Sequence, residues 1–344
     1  MKINILSIAH KYPGQGVYSA TEDHMYLLEK YSDYEIYQNK LFGKYDILHI
    51  HTINPKSFFS LLFHKKESFC VISAHIVPNS LKGSLKLNRF WLFLFRIYLW
   101  SFYKISDVVL AVSEETREEL INDLKIEPEK IKVFRNIVRK DLFYTSQKDK
   151  ESKKKFLRKK YGYSVNDFVV LGAGQIQPRK GIRDFFEMAS ELKDMKFIWV
   201  GGMPFQKMTD GYEKMNELIN NAPSNLFFAG IVNREKMIDF YNMADIFFLP
   251  SLQETFGLVV LEAAGSGLPI VLRDLEVYKK IFNSCYLSGT SIQDFMLIFR
   301  KLKNDINFYK EYESKSYKLF DMYNEEKAFR ELKKIYEEGV NSKK

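Results

Sequence analysis

At 344 residues, with 46% apolar and 15% aromatic content, the chain has material for about two packed domains and is not a disordered polypeptide. Its 52 Lys and Arg against 43 Asp and Glu leave a formal charge of +9, which points to a polyanionic partner, either nucleic acid or a membrane surface. Cys70 and Cys285 have no redox or metal-ligand spacing, which excludes a disulfide framework and suits a reducing cytosol.

In chain order, INILSI reads as a first buried strand. Asn4 and Ser7 interrupt it and HKYPGQG follows, so it is not a secretory signal. GQG at 14–16 leads into the helical TEDHMYLLEK. DILHIHTI, FCVISAH, DVVLAVS and IKVFRNIV continue as strands, separated by the amphipathic PKSFFSLLF and EETREELINDL. Short β-favouring runs alternating with helical patterns predict a parallel sheet with crossover helices, an α/β doubly wound unit.

Within this half, LNRFWLFLFRIYLWSFYK at 87–104 stands apart. Arg89 and Lys104 bracket only fourteen positions and Arg96 interrupts them, whereas a spanning helix needs about 20 apolar residues. On a helix with Lys86 at zero, Arg89, Arg96 and Lys104 fall at roughly 300°, 280° and 0°, one narrow stripe. Trp91, Leu92, Phe95, Tyr98, Leu99 and Phe102 lie opposite. From Ile76 to Tyr103 there are four cations and no acid. The expectation is a helix lying in the membrane interface, with Lys86, Arg89, Arg96 and Lys104 at anionic head groups and Trp91 and Phe95 toward lipid. The alternative is a buried helix whose cations snorkel to the surface. No nucleic-acid-reading helix or aromatic RNA-binding motif accompanies the charge, so no nucleic-acid partner is expected.

A basic stretch at 146–164, SQKDKESKKKFLRKKYGYS, marks a linker or first helix. The alternation then restarts with FVVLGAGQI, KFIWVGG, NLFFAGIV, DIFFLPS and LPIVLR as strands. The predicted domains are 1–145, a linker or helix at 146–164, 165–322, and a helix at 323–344 with Ala328, Leu332 and Tyr336 at fourfold spacing, able to pack back on the first domain. In PSLQETFGLVVLEAAGSGLPIV, at 250–271, Thr255 is placed to cap a helix beginning near Phe256. The amides of Phe256, Gly257 and Leu258 would then form an anion seat at the carboxyl edge of the sheet. Glu254 stands just before that seat and Glu262 two turns inside the helix.

Glu254 and Glu262 are separated by seven residues, and PS-x-x-E-x-F-G-L-x-x-x-E-A-x-x-x-G-x-P surrounds them. In this the sequence resembles the retaining glycosyltransferases of family four. The resemblance implies a GT-B architecture, two Rossmann-like domains facing each other across a cleft, with the nucleotide-sugar held mainly by the second. It implies that Lys180, in GAGQIQPRKGI, contacts the donor diphosphate. Gln175 stands where the family has an arginine, which makes Arg179 the candidate substitute. It further implies that His75, ending SAH, faces the transferred sugar, that Gly16 lets the backbone approach the donor, that Glu254 holds sugar hydroxyls and that Glu262 holds the ribose. Front-face attack with retention follows for the family, with no protein nucleophile.

GQGV, HTI, AHIVPNSLKGSLK and GQIQPRKG together are similar to bacterial diglycosyl-diacylglycerol synthases. What this implies is a hexosyltransferase moving glucose or galactose from UDP-glucose or UDP-galactose to a glycolipid, monoglucosyl-diacylglycerol, on the cytoplasmic face of the cell membrane and in contact with anionic lipids. A polyprenyl-diphosphate-linked sugar remains an alternative acceptor, and a noncatalytic sugar-nucleotide sensor an alternative of another class. His49 and His51 have an HxH spacing, but no Asp, Glu or Cys completes a ligand set, so no metal is expected.

Overall fold

The apolar runs become two sheets in which every strand pairing is parallel. In the computed structural model, which describes residues 1–9, 16–78, 89–203 and 211–343, the chain forms two units. Among the described residues, the first comprises those up to Ile137 together with those from Asn324 onward, and the second is Val138–Tyr323.

The first unit contains β1 (Lys2–Leu6), β2 (Glu35–Gln38), β3 (Ile47–Ile50), β4 (Phe69–Ala74), β5 (Val108–Ala111) and β6 (Ile131–Val133), in the order β2-β1-β3-β4-β5-β6. Every residue of β3, β4 and β5 is buried, because helices cover both faces of the sheet. On one face Leu48, Ile50 and Ile72 meet Leu99, Phe102 and Tyr103. On the other, Ile3, Ile5 and Val71 meet Leu27, Leu332 and Tyr336. The last helix, Glu325–Lys343, thus completes the first core through the fourfold-spaced residues. Glu325 is tied to Lys30 at 2.8 Å, and Gly339 lies so close to the Phe69 ring that a side chain there would collide with it.

The second unit contains β7 (Val169–Ala173), β8 (Lys196–Val200), β9 (Leu226–Gly230), β10 (Ile246–Leu249), β11 (Ile270–Arg273) and β12 (Leu287–Gly289), ordered β12-β11-β10-β7-β8-β9. The boundary lies at Ile137/Val138, ahead of the expected 145. The basic stretch forms the Gln147–Lys160 helix of this unit and not a linker. Lys154 and Arg158 both reach Asp245, at 2.8 and 2.5 Å, while Lys150 pairs with Glu313 and donates to the Gly267 carbonyl. Inward-facing acids account for three of its cations.

The aromatic segment folds as the Arg89–Ile105 helix, and it is rotated relative to expectation. Phe95, Tyr98, Leu99 and Phe102, assigned above to the lipid side, pack on the sheet. Phe95 is therefore withdrawn from the membrane-facing set. The outward side carries Phe90, Trp91, Phe93, Leu94, Ile97 and Trp100, interleaved with the cations. Arg96 donates to the Asp123 carbonyl and Lys104 pairs with Glu127. Lys86 and the side chain of Arg89 lie outside the described residues. The sequence pattern misplaced the face because the segment is apolar almost all round, so the sheet and not the cation stripe sets its orientation. Among the described residues, no helix is long and apolar enough to cross a membrane.

Candidate active site

Each sheet has a switch point, where successive strands leave in opposite directions: between β1 and β3 in the first unit and between β7 and β10 in the second. Ligands of open parallel sheets bind outside the carboxyl ends of the strands at such points. The sequence-derived candidates collect at these two edges.

In the second unit, Lys180 follows β7 and Glu254 follows β10. Adjacency of the two strands joins side chains 74 positions apart into a buried ion pair. Ser251 Oγ donates to the same carboxylate at 3.0 Å. Burial alone would raise the Glu254 carboxyl, but the charges of Lys180 and Arg179 and the hydrogen bonds more than offset it and hold it below its ordinary value. Burial pulls the Lys180 ammonium downward, with Glu254 opposing. Gly181, at φ 71°, permits the close approach of the loops: a Cβ there would collide with the Pro250 carbonyl.

Beside this pair runs a polar chain. Gln177 donates to Gln175 at 2.7 Å, and Arg179 donates to Gln177 at 3.0 Å and to the Gln253 carbonyl at 3.4 Å. Gln175 thus positions Arg179 through Gln177, a link that the sequence does not display.

The adjoining helix runs Leu258–Gly265, two residues shorter at its start than expected. Its N-cap is Gly257 at φ 88°, without a side-chain cap, so Thr255 does not fill that role. Phe256 is buried against Tyr323 and Phe282, which draws the chain inward before the helix starts. The first helical amides are consequently those of Leu258 and Val259. Glu262 is buried on other partners: Tyr241 donates to it at 2.9 Å and Arg234 lies at 3.3 Å. It is not in the Lys180–Glu254 cluster.

At the edge of the first sheet, Gly16 opens the Gly16–Tyr31 helix after β1; Gly14 and Gln15 lie outside the described residues. His75, just beyond β4, is one of four histidines gathered there. Its Nε2 is 3.1 Å from His51 Nδ1, and the His51 ring stacks on both His75 and His49 at centroid distances of 5.4 and 4.4 Å. His49 uses both nitrogens, toward the Tyr336 hydroxyl at 2.6 Å and Ser73 at 2.8 Å, and His24 reaches the same Tyr336 hydroxyl at 3.0 Å. Burial lowers all four; His75 falls to about 4 and His24, with His75 contributing, to about 3. These are neutral rings.

The candidate nitrogens of His24, His49 and His51 lie within 4.8 Å of one another, close enough to raise the question of an ion. His49 has both nitrogens engaged, by Tyr336 and Ser73, whereas His51 Nε2 is buried without a hydrogen-bond partner. His24 and Tyr336 were missed as site residues. The signal for His24 was its place on the buried stripe of its helix, between Ala20 and Leu27 with Leu28.

The family described as Glycosyl transferases group 1 matches residues 153–318, and Glycosyltransferase Family 4 matches residues 25–142. Alpha-galactosylglucosyldiacylglycerol synthase of Streptococcus pneumoniae is 38% identical over 287 residues, 83% of this chain and 76% of that protein. Processive diacylglycerol alpha-glucosyltransferase of Acholeplasma laidlawii is 27% identical, covering 87% of each. An Escherichia coli UDP-Gal:alpha-D-GlcNAc-diphosphoundecaprenol alpha-1,3-galactosyltransferase is 26% identical over 76% of this chain and 67% of that protein. Among solved structures, Anabaena HepE in complex with UDP-glucose superimposes with a TM-score of 0.76 at 16% identity, covering 98% of this chain and 100% of that one. Two parallel sheets with their candidate residues at the switch points, together with these matches, make this chain a glycosyltransferase of family four with the GT-B fold.

Proposed function

We propose that this glycosyltransferase moves a hexose, glucose or galactose, from a UDP-sugar to monoglucosyl-diacylglycerol with retention at the anomeric carbon, held peripherally on the cytoplasmic face of the cell membrane. The observation that carries the reading is the buried Lys180–Glu254 pair at the switch point of the second sheet. Removing one partner of a buried ion pair strands the other charge, so a ligand that parts this one must satisfy both ends at once. A sugar diphosphate does so: its phosphate oxygens meet the Lys180 ammonium while sugar hydroxyls donate to the Glu254 carboxylate. Arg179 and the amides of Leu258 and Val259 add further donors for the charge that develops on the leaving diphosphate. In this reading no divalent metal is required.

Glu262, already accepting from Tyr241, keeps lone pairs for a ribose hydroxyl. His75, neutral and hydrogen-bonded to His51, is suited to a sugar hydroxyl and not to carrying charge. The names of the S. pneumoniae and A. laidlawii relatives support a glycosylated diacylglycerol, and the UDP-glucose bound by HepE supports the donor class. A polyprenyl-diphosphate sugar is the second reading, favoured by the E. coli relative.

The deciding experiment crosses UDP-glucose and UDP-galactose with monoglucosyl-diacylglycerol, diacylglycerol and a polyprenyl-diphosphate sugar, with products resolved by mass and linkage. Turnover on the polyprenyl acceptor alone transfers the assignment to the second reading. Absence of turnover on every lipid overturns both.

A further inference from the structure

The outward aromatic face of the Arg89–Ile105 helix has a neighbour that the sequence pattern did not single out. The Pro55–His64 helix packs on the same face of the first sheet: its Leu61 enters the core shared with Leu99 and Phe102, and Phe58 lies 5.0 Å from the Phe102 ring. Two helices lying side by side on one sheet face present their opposite sides in the same direction. The outward side of Pro55–His64 carries Phe59, Leu62 and Phe63, exposed by 67%, 48% and 60%, and Phe42, exposed by 67%, extends this row through a 5.4 Å edge contact with Phe63. Phenyl groups this exposed are not completing the core, and an apolar surface of this extent marks an interaction site.

Charge identifies the occupant. Between Asn39 and Glu67 there are five lysines, of which Lys65 pairs with Asp107 at 2.7 Å while Lys40, Lys44, Lys56 and Lys66 are exposed, against two acids, Glu67 and Asp46, whose carboxylate accepts the backbone N–H of Lys2. The same excess of cations continues from Ile76 to Tyr103 without any acid. A second copy of the chain placed against this face would bring like charges together, whereas a bilayer with anionic head groups offers both apolar depth and opposite charge.

We propose that Phe42, Phe59, Leu62 and Phe63 form a second row of membrane anchors beside the Arg89–Ile105 helix, so that the first unit docks by a two-helix plane on anionic lipid. This rests on the membrane association proposed above and goes beyond it by assigning a separate set of residues. A plane held along two rows fixes both tilt and rotation of the unit on the bilayer; a single helix fixes less.

The test is sedimentation with vesicles of phosphatidylcholine alone and with vesicles that also contain phosphatidylglycerol. One variant carries Phe59→Ser and Phe63→Ser, another Phe93→Ser and Trp100→Ser. All four side chains are exposed, and matched thermal midpoints would verify that folding is intact. Removing two aromatic rings from apolar contact should weaken binding to the anionic vesicles by at least about tenfold in each variant. Loss in the Phe93/Trp100 variant with parental binding in the Phe59/Phe63 variant overturns the second row and leaves the membrane reading standing. Parental binding in both variants, or no vesicle binding by the parent, overturns both. A parent that forms a dimer in light scattering, dispersed by Phe59→Ser with Phe63→Ser, assigns the row to contact between copies and overturns its assignment to lipid.

Discussion

Lowering the pH from about 7.5 to about 5 should destabilise the protein through its buried histidines, by an amount that the structure permits working out. Folding depresses the His75 pKa from 6.5 to about 4 and that of His24 from 6.5 to about 3, in both cases chiefly by burial. The unfolded chain therefore binds more protons than the folded one below about pH 6.5, and stability falls as pH falls, the loss levelling off only below the folded values. At about pH 5 an unfolded histidine is almost fully charged while these two remain neutral, which costs about 2 kcal/mol each. His49 and His51 shift in the same direction. The two quantified histidines alone thus remove about 4 kcal/mol, against a total stability of about 5–15 kcal/mol for an ordinary domain.

Urea unfolding at the two pH values measures the difference. His24→Gln supplies the control, since an amide still reaches the Tyr336 hydroxyl but does not titrate; it should abolish about 2 kcal/mol of the pH-dependent loss. Equal stability of the parent at both pH values would show that the rings are hydrated and charged, which the stacking at 4.4 and 5.4 Å does not accommodate. An unchanged pH dependence in His24→Gln would remove His24 from the argument.

Other outcomes follow from the second unit and from the outward aromatic face of the first. Glu254→Gln and Lys180→Ala should each lower turnover by roughly two orders of magnitude, the scale of one transition-state electrostatic contact; activity within twofold of the parent in both would sink the site. Lys180→Ala strands a buried carboxylate and should cost about 3 kcal/mol of stability, most of it recovered by adding Glu254→Gln while turnover stays low; a double variant as unstable as the single one contradicts the pairing. Gly181→Ala, forcing a Cβ onto the Pro250 carbonyl at φ 71°, should destabilise by about 2 kcal/mol or more and reduce donor binding; a parental midpoint in urea speaks against that contact. Turnover should persist in excess chelator, and complete loss reversed by magnesium or manganese would refute a metal-free site. Arg89→Gln with Arg96→Gln should weaken binding to anionic vesicles by about thirtyfold, at about 1 kcal/mol per cation; unchanged affinity at every lipid charge would leave those arginines a structural role.

What could be read from the sequence divides according to physical cause. Strands buried on both faces, such as β3, β4 and β10, appear as unbroken apolar runs because no position along them meets water. The edge strands β2, reading EIYQ, and β12, reading LSG, leave no such trace, since one side of each ladder is open. Glu254 was legible through its spacing from Glu262 and Lys180 through the family resemblance of GAGQIQPRKGI, both in loops that follow β10 and β7. Their pairing was not, because adjacency of β7 and β10 is a property of strand order, which local patterns do not encode. The histidine stack was hidden for the same reason: His24, the His49–His51 pair, His75 and Tyr336 come from four separate stretches of chain, the last of them 261 positions beyond His75.

The Arg89–Ile105 helix shows a different obstacle, one of degeneracy. A helical wheel separates polar from apolar positions, but this segment has apolar residues on the sheet side and among the cations as well, so the wheel alone admits two orientations. Packing selects between them by size and shape: Leu99, Phe102 and Tyr103 are fully buried beneath the helix, while Phe93 and Trp100 are left outside at 61% and 42% exposure. Keeping large aromatics in water forgoes about 25 cal/mol for each Å² of apolar area left unburied, a cost that an isolated globular protein avoids by placing polar residues there. That cost is recovered if the surface is buried elsewhere, and the cations that border it supply the sign of the surface that would bury it. The feature least legible in the sequence, which side of an aromatic helix faces outward, is therefore the one on which the proposed lipid partner rests.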